Sequence, residues 1–177
     1  VLMINNVSKE VKIIMRERYG WKLYEYNNIK VWFCGYQYNG SIDDMLKKIL
    51  PLLDCVSTLD KDILSWVKNI SGHFAIVIET NKGAVAVVDK ICTIPIFTAE
   101  CKNTIFISNY ATILKNECKM SYTDLDLSAG LEVYMSGHTI GNKTLYRGIK
   151  RLEAGECLLY GNNSISNSSA SGNTITV

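Results

Sequence analysis

Apolar and polar residues alternate along much of this chain, and helical periodicity is confined to a few segments. After a mixed opening with a candidate strand at Val11–Met15, residues 21–34 read WKLYEY-NN-IKVWFC. Alternation on both sides of Asn27 and Asn28 predicts a β-hairpin, because both asparagines tolerate the positive φ of a tight type I′ turn. The pattern breaks at Gly35, and Tyr38-Asn39-Gly40-Ser41 reads as a turn. Ser41 can cap a helix from Ile42, with Asp43 and Asp44 facing the positive end of its dipole and Ile42, Met45, Leu46, Ile49 and Leu53 on one face. Pro51 is expected to end or kink that helix near Leu50. A second helix is expected from about Asp60 to Ile70, stopping at Gly72.

From Gly72 onward the period becomes that of strands. HFAIVIE and AVAVVD flank a turn at Asn81 and Gly83, and their near-continuous apolarity suits a sheet covered on both faces. PIFTAE and TIFISN flank a second turn at Lys102–Asn103, followed by a short helix from Asn109 to Leu114. LSAGLEVYMSG predicts a helix stopping at Gly137, and ECLLYGNNSISN a last hairpin turning at Gly161–Asn163. The polar stretch SNSSASGNTITV reads as a linker or frayed end. Hairpins interleaved with few helices imply an α+β sandwich of antiparallel sheets, with residues 1–160 as the domain and 161–177 as terminal hairpin and linker.

Composition narrows the function classes. The 177 residues are enough for one real core. A net charge of +2, with no basic run among aromatics, gives no reason to expect nucleic acid or an acidic membrane surface as partner. No apolar run approaches a membrane span, and residues 1–20 have no signal-peptide pattern. The six cysteines are irregularly spaced without a CxxC, so they are expected to be reduced and the protein cytoplasmic. His73 and His138 have no cysteine or carboxylate at ligand spacing, so no metal is expected.

Five segments in order carry a more specific signal. They are Gly72-His73-Phe74-Ala75, Asp89, Pro95-Ile96-Phe97, Ile107-Ser108-Asn109 with Ile113-Leu114, and the run TLYRGIKRLEAG from Thr144 to Gly155. Over about residues 31–160 the chain resembles the N-terminal glutaminase domain of asparagine synthetases, class II glutamine amidotransferases of the N-terminal-nucleophile (Ntn) hydrolase fold. The resemblance implies a four-layer αββα sandwich.

The resemblance also implies a site, and this chain departs from it. The family's nucleophile is an N-terminal cysteine whose α-amino group can act as base. Here the sequence opens Val-Leu-Met-Ile-Asn, and its first cysteine is residue 34. FCGYQYNG matches the family's N-G-E-[IV]-Y-N segment at Gly35, Tyr38 and Asn39, but Cys34 stands where the family's asparagine completes the oxyanion hole. A thiol is a weak donor, and one lost oxyanion donor costs about 2.7–4 kcal/mol of barrier. Only Asp60 or Asp62 could replace the aspartate that holds the substrate ammonium. Arg16 and Arg18 lack the context of the carboxylate-binding arginine, and Asp89-Lys90-Ile91-Cys92 has cysteine where the family has glycine.

The resemblance therefore implies a degenerate site with no catalytic residue, a vestigial glutamine pocket at Cys34, Gly35 and Asn39, and no cofactor in this domain. It implies a scaffold role beside an ATP-pyrophosphatase-like synthetase domain, in cis or in trans. That domain's SGGxDS loop has only a faint echo at Ser169–Gly172. An active glutaminase supplying ammonia, or a stand-alone module binding a small amide or peptide, are the alternatives. Structural roles compete at each position: packing for Cys34, closure of a strand for Asp89, a surface or capping role for His73, and a solvated rim for Lys150 and Arg151.

Overall fold

The computed structural model describes residues 9–38, 40–55, 65–81, 83–161 and 173–176. Its elements run β1 (Glu10–Ile13), β2 (Lys22–Tyr26), β3 (Ile29–Gln37), α1 (Ile42–Cys55), β4 (Gly72–Thr80), β5 (Gly83–Val88), β6 (Phe97–Cys101) and β7 (Thr104–Ser108). They continue with α2 (Ala111–Glu117), a 3-10 turn (Tyr122–Asp124), α3 (Leu127–Ser136), β8 (Ile149–Arg151), β9 (Glu156–Gly161) and β10 (Asn173–Thr176). One sheet has the order β10-β9-β5-β4-β3-β2, the other β1-β7-β6-β8.

Side-chain parity sorts the core into three layers of contact, which makes the fold a four-layer αββα sandwich. Val31 and Phe33 of β3, Ile76 and Ile78 of β4, and Val85 and Val87 of β5 face α1 through Met45, Leu46 and Ile49. Their alternating neighbours Cys34, Ala75, Val77, Ala84 and Ala86 face the second sheet, meeting Ile96, Ile107 and Leu152 with Trp21. The far side of that second sheet packs Ala99, Phe106 and Ile149 on Leu114 of α2. Strands with two buried faces need apolar residues at every position, which explains the unbroken runs in β4 and β5.

The hairpin expected at Asn27–Asn28 is present with Tyr26 opposite Ile29, and Asn27 has φ +53. Lys102 likewise takes φ +58 in the β6–β7 turn. Ser41 caps α1, accepting from the Asp44 N–H at 3.1 Å, and its hydroxyl donates to the Asp44 carboxylate, holding that carboxyl's pKa down. Asp126 caps α3 through the Ser128 and Ala129 N–H groups, and Gly137 ends it in the left-handed region.

Several expectations need correction. The first helix continues through Pro51 to Cys55. Pro51 and Lys47 lie on the exposed face, where water can serve the carbonyl that proline leaves without a donor. β3 does not stop at Gly35 but runs on to Gln37. The β1–β7 pair is parallel, so the smaller sheet is mixed. Residues 149–151, read only as part of a motif, form an edge strand on β6. The stretch read as linker contributes Asn173–Thr176 as a strand antiparallel to β9; the turn of that last hairpin lies outside the described residues, as does most of the helix expected from Asp60.

The cysteines are not all reduced. Cys101, at the end of β6, and Cys118, the C-cap residue of α2, form a disulfide with a Cα separation of 5.6 Å. The two meet because α2 folds back onto β6, a juxtaposition that their spacing of 17 residues could not reveal. Such bridges are uncommon in reducing compartments. Cys34, Cys92 and Cys157 are free. Among the described residues no helix is long and apolar enough to cross a membrane.

Candidate functional site

The residues singled out by sequence converge at one end of the β3–β4 pair. Cys34 faces Ala75, Gly35 faces Phe74, and Tyr36 faces His73 across that ladder. By parity Cys34 and Tyr36 point toward the second sheet, so the vestigial pocket would open between the sheets.

At Cys34 that space is filled by the chain itself. Its side chain is only 5% exposed. The thiol donates to the Tyr19 carbonyl oxygen at 3.3 Å, and a Cβ added to Gly20 would sit 3.6 Å from the sulfur. Tyr19 and Gly20 take positive φ, +55 and +87, which turns the chain over the thiol. The Tyr19 ring stacks on Tyr110 at 6.1 Å, and Trp21 is buried beside Cys34. Burial pushes the Cys34 pKa up, against a smaller opposing effect of the Gly35 backbone N–H. A neutral, covered thiol is the inert kind.

Gly35 has a structural reason to be glycine. Its φ is +105, and a Cβ there would lie 2.0 Å from the His73 carbonyl oxygen. Gly72 answers it two ladder positions away, where a Cβ would lie 2.2 Å from the Tyr36 carbonyl oxygen. The close approach of β3 and β4 thus accounts for both glycines. Asn39 lies outside the described residues, as do Asp60 and Asp62.

Asp89 is a buried tie, as its strand-closing reading expects. One carboxylate oxygen accepts from the N–H groups of Phe74 (3.2 Å) and Thr93 (3.1 Å), the other from Ile91 (2.9 Å). Its own carbonyl accepts from Cys92 and Gly155. One residue therefore joins the ends of β4 and β5, the turn after β5 and the loop before β9. Arg16 is held by its backbone, since buried Asn109 accepts from its N–H at 3.1 Å and donates to its carbonyl at 2.8 Å. Asn109 was read only as a helix start and motif residue; its clamp spans 93 residues and leaves no local signal.

The open feature lies beside this cluster. A cleft of about 250 Å³ is lined by Tyr38, Ile70, His73, Phe74, Asp89 and Lys90 among others. Tyr38 and His73 of its lining form a ring triad with Tyr36, with centroid separations of 5.4–5.8 Å. His73 Nδ1 is 2.8 Å from the Thr93 hydroxyl. Tyr36 and Tyr38 are largely exposed. Among the described residues no group of three His, Cys, Asp or Glu side chains could hold a metal ion.

No family model matches the chain. No curated protein matches it either. Among solved structures, a glutamine phosphoribosylpyrophosphate (PRPP) amidotransferase from B. subtilis, complexed with ADP and GMP, is similar over 88% of this chain at 13% identity and a TM-score of 0.37. This chain spans 31% of that structure's length. A likeness this loose transfers no residue's role.

Proposed function

We propose that this chain is a glutaminase-like domain without glutaminase activity, acting as a scaffold in an asparagine-synthetase-like, ATP-dependent amide-forming protein. Its partner is an ATP-pyrophosphatase-like synthetase domain, in the same chain or another. The ordered motif resemblance and the αββα layering support the family reading. The observation that carries the loss of activity is Cys34 itself. At the position of the family's oxyanion donor the thiol is spent on the Tyr19 carbonyl, beneath residues 19–21. A substrate carbonyl would have to displace that segment before reaching any donor at this point.

A second reading, a small-amide or peptide-binding module, is favoured by the cleft beside Tyr38 and His73. Isothermal titration with glutamine separates the two. The scaffold reading expects no binding heat at millimolar glutamine. Saturable binding unaffected by Tyr38→Ala and lost on opening the Tyr19–Trp21 cover would refute it. Saturable binding lost in Tyr38→Ala would favour the module.

A further inference from the structure

We propose that the cavity beside Arg151 binds a free α-amino acid with an apolar side chain, Arg151 taking its carboxylate and Glu153 its ammonium. The cavity has a volume of about 380 Å³ and is lined by Ile91, Cys92, Gly141, Arg151, Leu152 and Glu153 among others. That is the small end of ligand sites, about 300–1,000 Å³. Cys34 does not line it, and it shares one lining residue, Ile91, with the cleft beside Tyr38.

The two charged residues of the lining are not spent on each other. Arg151 ends β8 and is half-buried rather than part of a solvated rim. A guanidinium offers a fork of N–H donors and no acceptor. Here the Gly141 carbonyl accepts from Nη2 at 3.1 Å, while Nε is buried and has no acceptor among the described residues. Glu153 is exposed, and its Oε1 would lie 3.3 Å from a Cβ added at Gly141. One glycine thus has the cation on its carbonyl and the carboxylate over its Cα. Among the described residues neither group forms an ion pair.

The surroundings favour a zwitterion over a simple anion. Burial pushes the Cys92 thiol up, Arg151 opposes this, and the Asp89 and Glu156 carboxylates add to it. The neutral thiol leaves the charge of Arg151 unmatched. Asp89 and Glu156 are held in place by backbone N–H groups, Asp89 by three and Glu156 by that of Glu153. An anion entering the cavity meets Arg151 but also these carboxylates and Glu153. A ligand with its own ammonium turns Glu153 from an obstacle into a contact. The two oxygens of an amino-acid carboxylate match the arginine fork. A small turn of the guanidinium brings Nε to one of them and ends the cost of leaving it buried and unpaired. The remaining lining sets the side chain. Leu152 is buried, and the Cys92 thiol donates to its carbonyl. The N–H groups of Ile91, Cys92, Leu152 and Glu153 are all taken up within the chain. A glutamine carboxamide set against these residues would lose hydrogen bonds to water that an aliphatic side chain never had.

Isothermal titration of the 177-residue chain with L-valine tests this, beside 3-methylbutanoate, which lacks the ammonium, and isobutylamine, which lacks the carboxylate. L-Valine should bind saturably, about tenfold or more tighter than either analogue or L-glutamine. Arg151→Gln should weaken it about 30-fold or more, and Glu153→Gln about 3–10-fold. Glu153→Gln, at an exposed position, should also raise the affinity for 3-methylbutanoate to that for L-valine, a gain that no loss of folding produces. Absence of saturable heat with L-valine, or binding indifferent to both substitutions, would overturn the proposal. So would 3-methylbutanoate binding the native chain as tightly as L-valine, the mark of a plain anion site.

Discussion

Replacing Asp89 with alanine removes the acceptor of three backbone N–H groups at once, those of Phe74, Ile91 and Thr93. Hydrogen bonds to a charged group contribute about 1.5–3 kcal/mol each. The three do not add in full, because Ile91 and Thr93 are partly accessible and can be hydrated once the carboxylate is gone. Phe74 is buried, and its N–H pays the whole desolvation cost. The expected loss is roughly 3–5 kcal/mol, in the range seen when a buried network is broken. For a chain of this size that lowers the melting temperature by roughly 6–20 °C. Urea unfolding followed by tryptophan fluorescence reads it as a fall in midpoint at constant slope. Asp89→Asn keeps one carbonyl acceptor but turns an amide NH₂ toward a backbone donor, so it should fall between the parent and Asp89→Ala. A loss below about 1 kcal/mol for Asp89→Ala would refute the idea that this carboxylate ties the β4 and β5 ends together.

Other consequences follow from the same geometry. Gly35→Ala, which must find room 2.0 Å from a backbone oxygen at φ +105, should cost roughly 3 kcal/mol or more in urea unfolding; a neutral effect would mean that β3 and β4 are further apart. Reduction of Cys101–Cys118, separated by 17 residues, should remove about 3 kcal/mol, and a Cys101→Ser/Cys118→Ser double variant should melt at one temperature with or without reductant. Burial pushes the Cys157 thiol up to about 12 from an ordinary 9.0, so above pH 9 the unfolded chain loses its proton first. Its contribution is therefore complete below that pH and falls by about 1.4 kcal/mol per pH unit toward 12. Cys157→Ala should flatten that alkaline slope, and an unchanged slope would count against the burial.

Much of the fold was legible because its signals are local. The Asn27–Asn28 pair, the Ser41 cap, the Gly137 stop and unbroken apolar runs identified the first hairpin, the strands of both central hairpins, the start of α1 and the end of α3. Failures came where tertiary context overrode a local rule. Pro51 is tolerated because its face meets solvent. Gly35 looked like a strand end, yet it is the residue that lets two strands approach. Asn173–Thr176 is too polar to announce a strand and is recruited by the free edge of β9. The Cys101–Cys118 bridge depends on how α2 folds back. At the site, the sequence singles out Cys34 and Gly35 but not what lies over them. The cover formed by residues 19–21 was not foreseen, because only the folded chain brings Tyr19 to the thiol. Likewise, Tyr36, Tyr38 and His73 meet only through the β3–β4 register.

On the proposed function, the site around Cys34 does no chemistry. Glutamate release from glutamine by the purified chain, beside a Cys34→Ala variant, tests it most directly. No release above that of the variant is expected. Release by the parent chain that disappears in Cys34→Ala would contradict it, since the covered thiol would then be a working nucleophile.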